Sequence, residues 1–201
     1  MPRIRQVEVE VLVCGRPPKA NANGWSFPCA VEDLLRRELA GKSVLHLFGG
    51  LARFGTRMDI DPITKPDVIG DAWMPPFQRS SFDVVVLDPP YVRFSAQTTM
   101  ALCCQAAYVA RTQVVWFHTQ WLDHPARLKL RKAFAVVVGR NSSMRCLQFF
   151  DVSPNKMEPM RRFSRGPAIK YNRWIAQPGG LGFGLPGPGA GEGNQVPGAG
   201  S

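Results

Sequence analysis

The sequence has little of what marks secreted, metal-stapled and membrane-spanning proteins. It carries three histidines and five cysteines in 201 residues. Cys14, Cys29, Cys103, Cys104 and Cys146 are odd in number, include no CxxC pair and have no matching histidine spacing. Neither a disulfide framework nor a structural zinc site is expected, and a reducing cytoplasm is. No window approaches the roughly 18 to 20 unbroken apolar residues of a spanning helix. Met1 to Arg5 runs into alternating Val and Glu, so no secretory leader is expected. No internal repeat is visible, and the GxGxxG of a dinucleotide site is missing. The length suits one ordinary domain, or one domain with tails.

Acidic residues are scarce in one half only. Residues 1 to 110 hold 12 Lys/Arg and 11 Asp/Glu, whereas residues 111 to 177 hold 13 and three, a net of +10. An excess gathered in this way is the usual footprint of a phosphate backbone. Residues 178 to 201 contain ten Gly, four Pro and no Lys or Arg, and are expected to be a disordered tail.

The pattern predicts a strand over Val7 to Val13, a loop over Gly15 to Pro28 and a helix over Cys29 to Leu39, ended by Gly41. Short strands follow at Ser43 to Phe48, Arg57 to Ile60 and Asp67 to Ile69. Phe82 to Leu87 (FDVVVL) is almost wholly apolar, as in a strand buried on both faces. Gln97 to Ala110 reads as helix, Gln113 to Phe117 as strand and Ala126 to Lys132 as a basic helix. Phe134 to Val138 and Met144 to Val152 read as a hairpin joined by residues 139 to 143. Strands alternating with helices predict a doubly wound α/β sheet.

In such a sheet ligands bind at the carboxyl ends of the strands. Phe48-Gly49-Gly50-Leu51-Ala52 is a glycine turn that admits close backbone approach. Asp59 and Asp61 both stand where an acid can bond ribose hydroxyls, Asp59 being nearer its strand. Asp71, in Gly70-Asp71-Ala72-Trp73, can accept from an adenine amino group, with Trp73 available to pack. Asp88-Pro89-Pro90-Tyr91 follows FDVVVL directly. Prolines have no N–H, so this stiff segment leaves its carbonyls free to accept. With the Asp88 carboxylate and the Tyr91 ring, the set suits a planar group that carries an NH2.

These motifs, in this order, resemble a class I S-adenosylmethionine-dependent methyltransferase of the DPPY, amino-methylating type. The resemblance spans residues 42 to 152, and the DPPY is similar to that of DNA adenine-N6 methyltransferases and of some RNA base methyltransferases. It implies a Rossmann-like, mostly parallel seven-stranded sheet closing in an antiparallel hairpin. It also implies Phe48, Gly49 and Gly50 on the methionine part of the cofactor, Asp59 on its ribose, and Asp71 with Ala72 on its adenine. The resemblance further implies that Asp88 borders both cofactor and substrate, and that Asp88, Pro89, Pro90 and Tyr91 form the catalytic set. Ala52 departs from the family's FxGxG turn. No separate target-recognition domain is expected, and residues 92 to 112 and 153 to 177 are expected to read a substrate. The expected organisation is an N-terminal strand, loop and helix over 1 to 41, a core over 42 to 152, a basic segment over 153 to 177 and the tail.

The expected reaction is methyl transfer to an exocyclic amine of a nucleobase, adenine N6 in DNA being favoured over RNA. The base must flip out or be unpaired to enter. Tyr91 and Phe94 would stack on it, and Arg161, Arg162, Arg165 and Lys170 would contact phosphate. No metal and no membrane partner are expected. The rivals are an RNA base methyltransferase, a glutamine-methylating enzyme, a nicotinamide-dependent enzyme, and a methyltransferase-like nucleic-acid-binding protein without turnover. His46 reads as a satisfied core histidine, Cys103 and Cys104 as buried small residues, and Trp25 with Pro28 as a lid over the cofactor. His118 and His124 flank Trp121, with a pocket role the less ordinary reading.

Overall fold

A computed structural model describes residues 9–14, 26–90, 95–122, 128–138 and 144–153. They form strands β1 (Val9–Cys14), β2 (Val44–Leu47), β3 (Thr56–Asp59), β4 (Val68–Ile69), β5 (Phe82–Leu87), β6 (Ala110–His118), β7 (Leu128–Val138) and β8 (Met144–Val152). Helices α1 (Cys29–Glu38) and α2 (Ala96–Val109) complete the described elements, with one 3-10 turn at Pro62–Thr64. One sheet holds all eight strands in the order β1-β7-β8-β6-β5-β2-β3-β4. Every pairing is parallel except those of β8, which runs antiparallel to both β6 and β7.

The composition of β5 explains its central position. Val84 and Val86 join one face of the core, Val85 and Leu87 the other, and all four have no exposed surface. On the first face Val31, Leu34 and Leu35 of α1 pack with Phe27, Val115, Phe117 and Phe149. Their spacing is one stripe of a 3.6-residue period. On the second, Leu102, Cys103, Ala106 and Val109 of α2 cover Leu45, Leu47 and Trp116. The Ser95 hydroxyl caps α2 by accepting from the Thr98 N–H at 3.1 Å. Cys103 is buried as expected, while Cys104 is only partly so.

Several sequence expectations need correction. The predicted basic helix over 126 to 132 is, from Leu128 onward, the first half of β7. Leu128 and Leu130 alternate with Lys129 and Arg131, a period of two that lets β7 pair along β8. The sheet has eight strands, not seven, because β1 adds itself parallel to β7 at the edge. That strand also faces the other way from a simple amphipathic reading. Leu12 and Cys14 turn inward, whereas Val9, Val11 and Val13 are 44%, 69% and 73% exposed. The sheet is less fully wound than alternation implies, since no α-helix lies between β2 and β5.

Candidate active site

Strand order reverses between β2 and β5. From β2 the chain moves outward to β3 and β4, and from β5 it moves the opposite way to β6. Leu47 and Leu87, the last residues of β2 and β5, are register partners. The glycine turn at 48–50 and the Asp88-Pro89-Pro90 segment therefore leave neighbouring strands side by side. This is the switch point at which open α/β sheets hold their ligands.

The turn is compact because residues 48–55 alone join two adjacent parallel strands, a task that ordinarily takes a dozen or more residues and a helix. Its backbone is correspondingly unusual, with positive φ at Phe48 (63°), Gly50 (45°) and Gly55 (70°). Positive φ at a phenylalanine is held by surroundings rather than by preference. The Gly49 N–H donates to the Met58 carbonyl at 2.8 Å. A Cβ on Gly49 would stand 2.8 Å from the Arg57 Cβ, so only glycine fits this approach.

Three side chains lock the turn. Asp59 accepts from the Gly50 N–H at 2.9 Å through Oδ2 and from the Asp61 N–H at 3.0 Å through Oδ1. A carboxylate has about four lone-pair positions, so among the described residues two further acceptor positions remain on Asp59. Arg57 reaches the carbonyls of Gly50 (3.2 Å), Thr64 (3.2 Å) and Lys65 (2.5 Å), joining the turn to the β3–β4 connection. Glu32, 1% exposed on α1, accepts from the Arg53 backbone N–H at 2.7 Å and from its Nε at 2.8 Å. Neither Glu32 nor Arg57 was singled out from the sequence. An acid beside the apolar stripe of α1 and a lone arginine in the short strand TRMD were the available signals.

Asp61, the rival of Asp59, caps the 3-10 turn, its Oδ1 accepting from the Ile63 N–H at 2.9 Å. Ile60 between them is 42% exposed and offers an apolar surface beside the acid. Asp71 follows β4 in a turn, where Oδ1 accepts from the Trp73 N–H at 2.9 Å. Asp71 itself is exposed, Ala72 is buried, and Trp73 packs partly against the core.

Asp88 is half-buried and Pro89 buried at the end of β5. The expectation that both proline carbonyls stay free needs correction. The Pro90 oxygen lies 3.2 Å from Nε2 of His118, the last residue of β6. His118 is fully buried, and burial lowers its pKa from the ordinary histidine value, with a smaller opposing effect from the Pro90 carbonyl. His46 is a core histidine, but not a satisfied one. Its ring meets Phe54 edge-on at 4.7 Å, and neither nitrogen has a hydrogen bond of ordinary geometry among the described residues.

Tyr91, Phe94, Arg161, Arg162, Arg165 and Lys170 lie outside the described residues, as do Trp25, His124, residues 154–177 and the Gly/Pro-rich tail. Among the described residues no group of three or more His, Cys, Asp or Glu is placed to hold a metal ion. No helix among them is long and apolar enough to cross a membrane.

No protein-family model matches the chain, and no curated protein matches it in sequence. Solved structures do. The crystal structure of TrmN from Thermus thermophilus aligns with a TM-score of 0.51 at 16% identity, covering 68% of this chain and 52% of that one. The chain thus spans about half the length of TrmN. The putative methyltransferase yhhF from Escherichia coli aligns with a TM-score of 0.46 at 12% identity, over 74% of this chain and 92% of that one. The T. thermophilus 16S rRNA N2 G1207 methyltransferase RsmC, in complex with AdoMet and guanosine, aligns with a TM-score of 0.44 at 15% identity, over 69% and 43%. Identities this low establish the fold alone. The chain has a Rossmann-like α/β fold of the kind found in methyltransferases, mostly parallel and closed by an antiparallel pair.

Proposed function

We propose that the protein transfers a methyl group from S-adenosylmethionine to the exocyclic amino group of a nucleobase, adenine N6 in DNA. The observation that carries this reading is the pairing of Leu47 with Leu87, which sets the glycine turn beside Asp88-Pro89-Pro90 at the point of strand reversal. One ligand in that crevice meets a tight turn and the Asp59 carboxylate on one side and a cluster of amine acceptors on the other.

The donor set fits a nucleoside cofactor without phosphates. A pyrophosphate is held by a glycine turn that opens a helix, whose amide groups and dipole oppose its charge. Here the turn opens no helix and runs directly into β3. Asp59 keeps acceptor positions for two ribose hydroxyls, with Ile60 as an apolar neighbour for a base, and Asp71 with Ala72 follows at the next strand end. Phe48, Gly49 and Gly50 would line the methionine part, and Asp88 would border the cofactor. Bound S-adenosylmethionine supplies an electrophilic methyl group on a sulfonium.

The chain's own task is to prepare the acceptor. An amino nitrogen on an aromatic base is a poor nucleophile because its lone pair is delocalised into the ring. Hydrogen bonds from its two hydrogens to the Asp88 carboxylate and the Pro89 carbonyl favour a more tetrahedral nitrogen with its lone pair directed at the methyl group. Formation of the N–C bond would be matched by loss of the S–CH3 bond, whose electron pair stays on the departing neutral thioether, and the nitrogen sheds one proton, which Asp88 can accept. Much of the acceleration is positional, since the methyl donor arrives activated. Tyr91 and Phe94 are proposed to stack on the extruded base, and Arg161, Arg162, Arg165 and Lys170 to hold phosphates. The choice of adenine in DNA rests on the similarity of Asp88-Pro89-Pro90-Tyr91 to the DNA adenine-N6 enzymes.

The test is incubation with radiolabelled S-adenosylmethionine and, separately, duplex DNA, single-stranded DNA, total RNA and bulk protein, with Asp88→Asn alongside. Label on DNA adenine, lost in the variant while cofactor still binds, is the expected result. Label on RNA would move the substrate but keep the reaction. Cofactor binding with label nowhere would favour a binding protein without turnover, and no cofactor binding would end the reading.

A further inference from the structure

The two ring nitrogens of His118 are committed in opposite directions. The Gln120 backbone N–H lies 3.0 Å from Nδ1. A peptide N–H only donates, so Nδ1 is the bare nitrogen and Nε2 carries the proton. The 3.2 Å contact of Nε2 with the Pro90 oxygen is therefore an N–H···O=C bond. Burial holds the ring neutral, which keeps this tautomer.

The ring is itself held in place. Trp116 packs against it with centroids 5.3 Å apart, and Trp116 Nε1 donates to the Gln120 carbonyl at 3.0 Å. The Cys146 thiol lies 3.1 Å from the His118 carbonyl and 2.9 Å from that of Gln120. The Leu122 N–H donates to Gln148 Oε1 at 2.8 Å, binding the segment after β6 to β8. His118 is thus a fixed post on the neighbouring strand rather than a mobile pocket residue.

Proline rings fix φ at Pro89 and Pro90, which leaves ψ as the soft torsion of the segment. Pairing of Leu87 with Leu47 and Trp116 anchors its start. The bond from His118 anchors its far end at the Pro90 carbonyl. We propose that His118 is a positioning residue for methyl transfer, whose Nε2–H holds Pro90 so that the Asp88 carboxylate and Pro89 carbonyl keep the orientation that receives the substrate amine. This inference rests on the methyl-transfer reading.

The experiment compares His118→Phe and His118→Gln with the wild type in kcat, KM and S-adenosylmethionine affinity. Phenylalanine fills the site without a donor, whereas the glutamine amide nitrogen lies near the place of Nε2. The expected result is a fall in kcat of about 10-fold to 100-fold in His118→Phe, the size that small misplacements cost. Cofactor affinity should be unchanged, and most of the lost kcat should return in His118→Gln. Wild-type kcat in His118→Phe, no recovery in His118→Gln, or equal losses of kcat and cofactor affinity would each overturn the proposal. Nitrogen-15 shifts of the wild-type imidazole give a test that needs no variant to fold. A protonated Nε2 with bare Nδ1 supports the assignment, and the other tautomer overturns it. Active wild type with indifferent His118 variants would end this inference alone, whereas inactive wild type would end the parent reading with it.

Discussion

The Gly50 N–H donates to Asp59 Oδ2 at 2.9 Å, so the turn after β2 and the acid at the end of β3 form one unit. The acid that would receive a ribose is also the residue that holds the turn against which the rest of the cofactor would lie. Loss of that carboxylate therefore acts twice, through the ligand and through the turn.

Asp59→Ala should weaken S-adenosylmethionine binding by about 10-fold to 100-fold, the range expected for lost hydrogen bonds to a charged group. It should also lower the melting temperature, because the Gly50 and Asp61 N–H groups lose their acceptor. Asp61→Ala is the control. It removes a cap from a 3-10 turn, costs about 1 kcal/mol of stability and leaves affinity largely intact. Titration calorimetry with thermal denaturation separates the two. Equal affinities for the two variants would remove Asp59 from the site.

Gly49→Ala tests whether the close approach of the turn to β3 is required. Its Cβ would meet the Arg57 Cβ at 2.8 Å and the Arg57 Cα at 3.0 Å, both on a paired strand that cannot recede without breaking its register. Overpacking of this kind costs about 1 to 3 kcal/mol. Gly41→Ala meets nothing within 4 Å and bears only the strain of its φ of 75°, on the order of 1 kcal/mol. Denaturant unfolding should rank Gly49→Ala as the more damaging, and the reverse order would mean the turn yields easily.

What the sequence made legible was local. FDVVVL announced a doubly buried strand because burial on both faces leaves no polar alternation, and the acid-proline segment after it fell at the strand end as expected. The misreadings came from distance. The helix expected over Ala126 to Lys132 is a strand from Leu128 onward, and its last five residues, three of them basic, look alike in both periodicities. Its pairing along β8 decides the matter. The inward register of β1 depends on β7, more than a hundred residues later. Pro90 and His118 meet only because β5 and β6 lie side by side. No residue-by-residue pattern encodes that neighbourhood, although two residues at the carboxyl ends of adjacent strands are obvious partners once the order is known.

His46 makes stability fall on mild acidification. Burial lowers its pKa to about 4, against smaller upward influences from Glu32 and the Phe54 backbone. The unfolded chain takes up this proton near the ordinary value of about 6.5, so its contribution is complete above that pH and is lost as pH falls from there toward 4. The loss should be on the order of 3 kcal/mol across the window. Burial lowers the His118 pKa too, so that residue adds in the same direction. His46→Leu should flatten the profile and, because it removes two buried nitrogens that have no hydrogen bond of ordinary geometry among the described residues, raise stability at pH 7 by about 1 kcal/mol. Chemical denaturation from pH 7 to pH 4.5 checks both points, and an unchanged pH slope in the variant would show that other groups dominate.

The uneven charge of the chain places phosphate contact on its basic half. Residues 111 to 177 carry a net charge of +10, and Arg161, Arg162 and Arg165 stand within five residues of one another. Each cation that neutralises a phosphate releases condensed counterions, which makes the slope of log affinity against log salt a count of contacts. Replacing all three arginines with alanine should weaken nucleic-acid binding similarly on unrelated sequences and make the slope shallower by about 3. Cofactor affinity should not change, since no role at the strand ends is assigned to these residues. Fluorescence anisotropy with labelled oligonucleotides at several salt concentrations measures the slope directly. A slope identical to that of the wild type would mean that the phosphate contacts lie elsewhere on the basic half, with Lys129, Arg131 and Arg145 of the β7–β8 hairpin the next to replace.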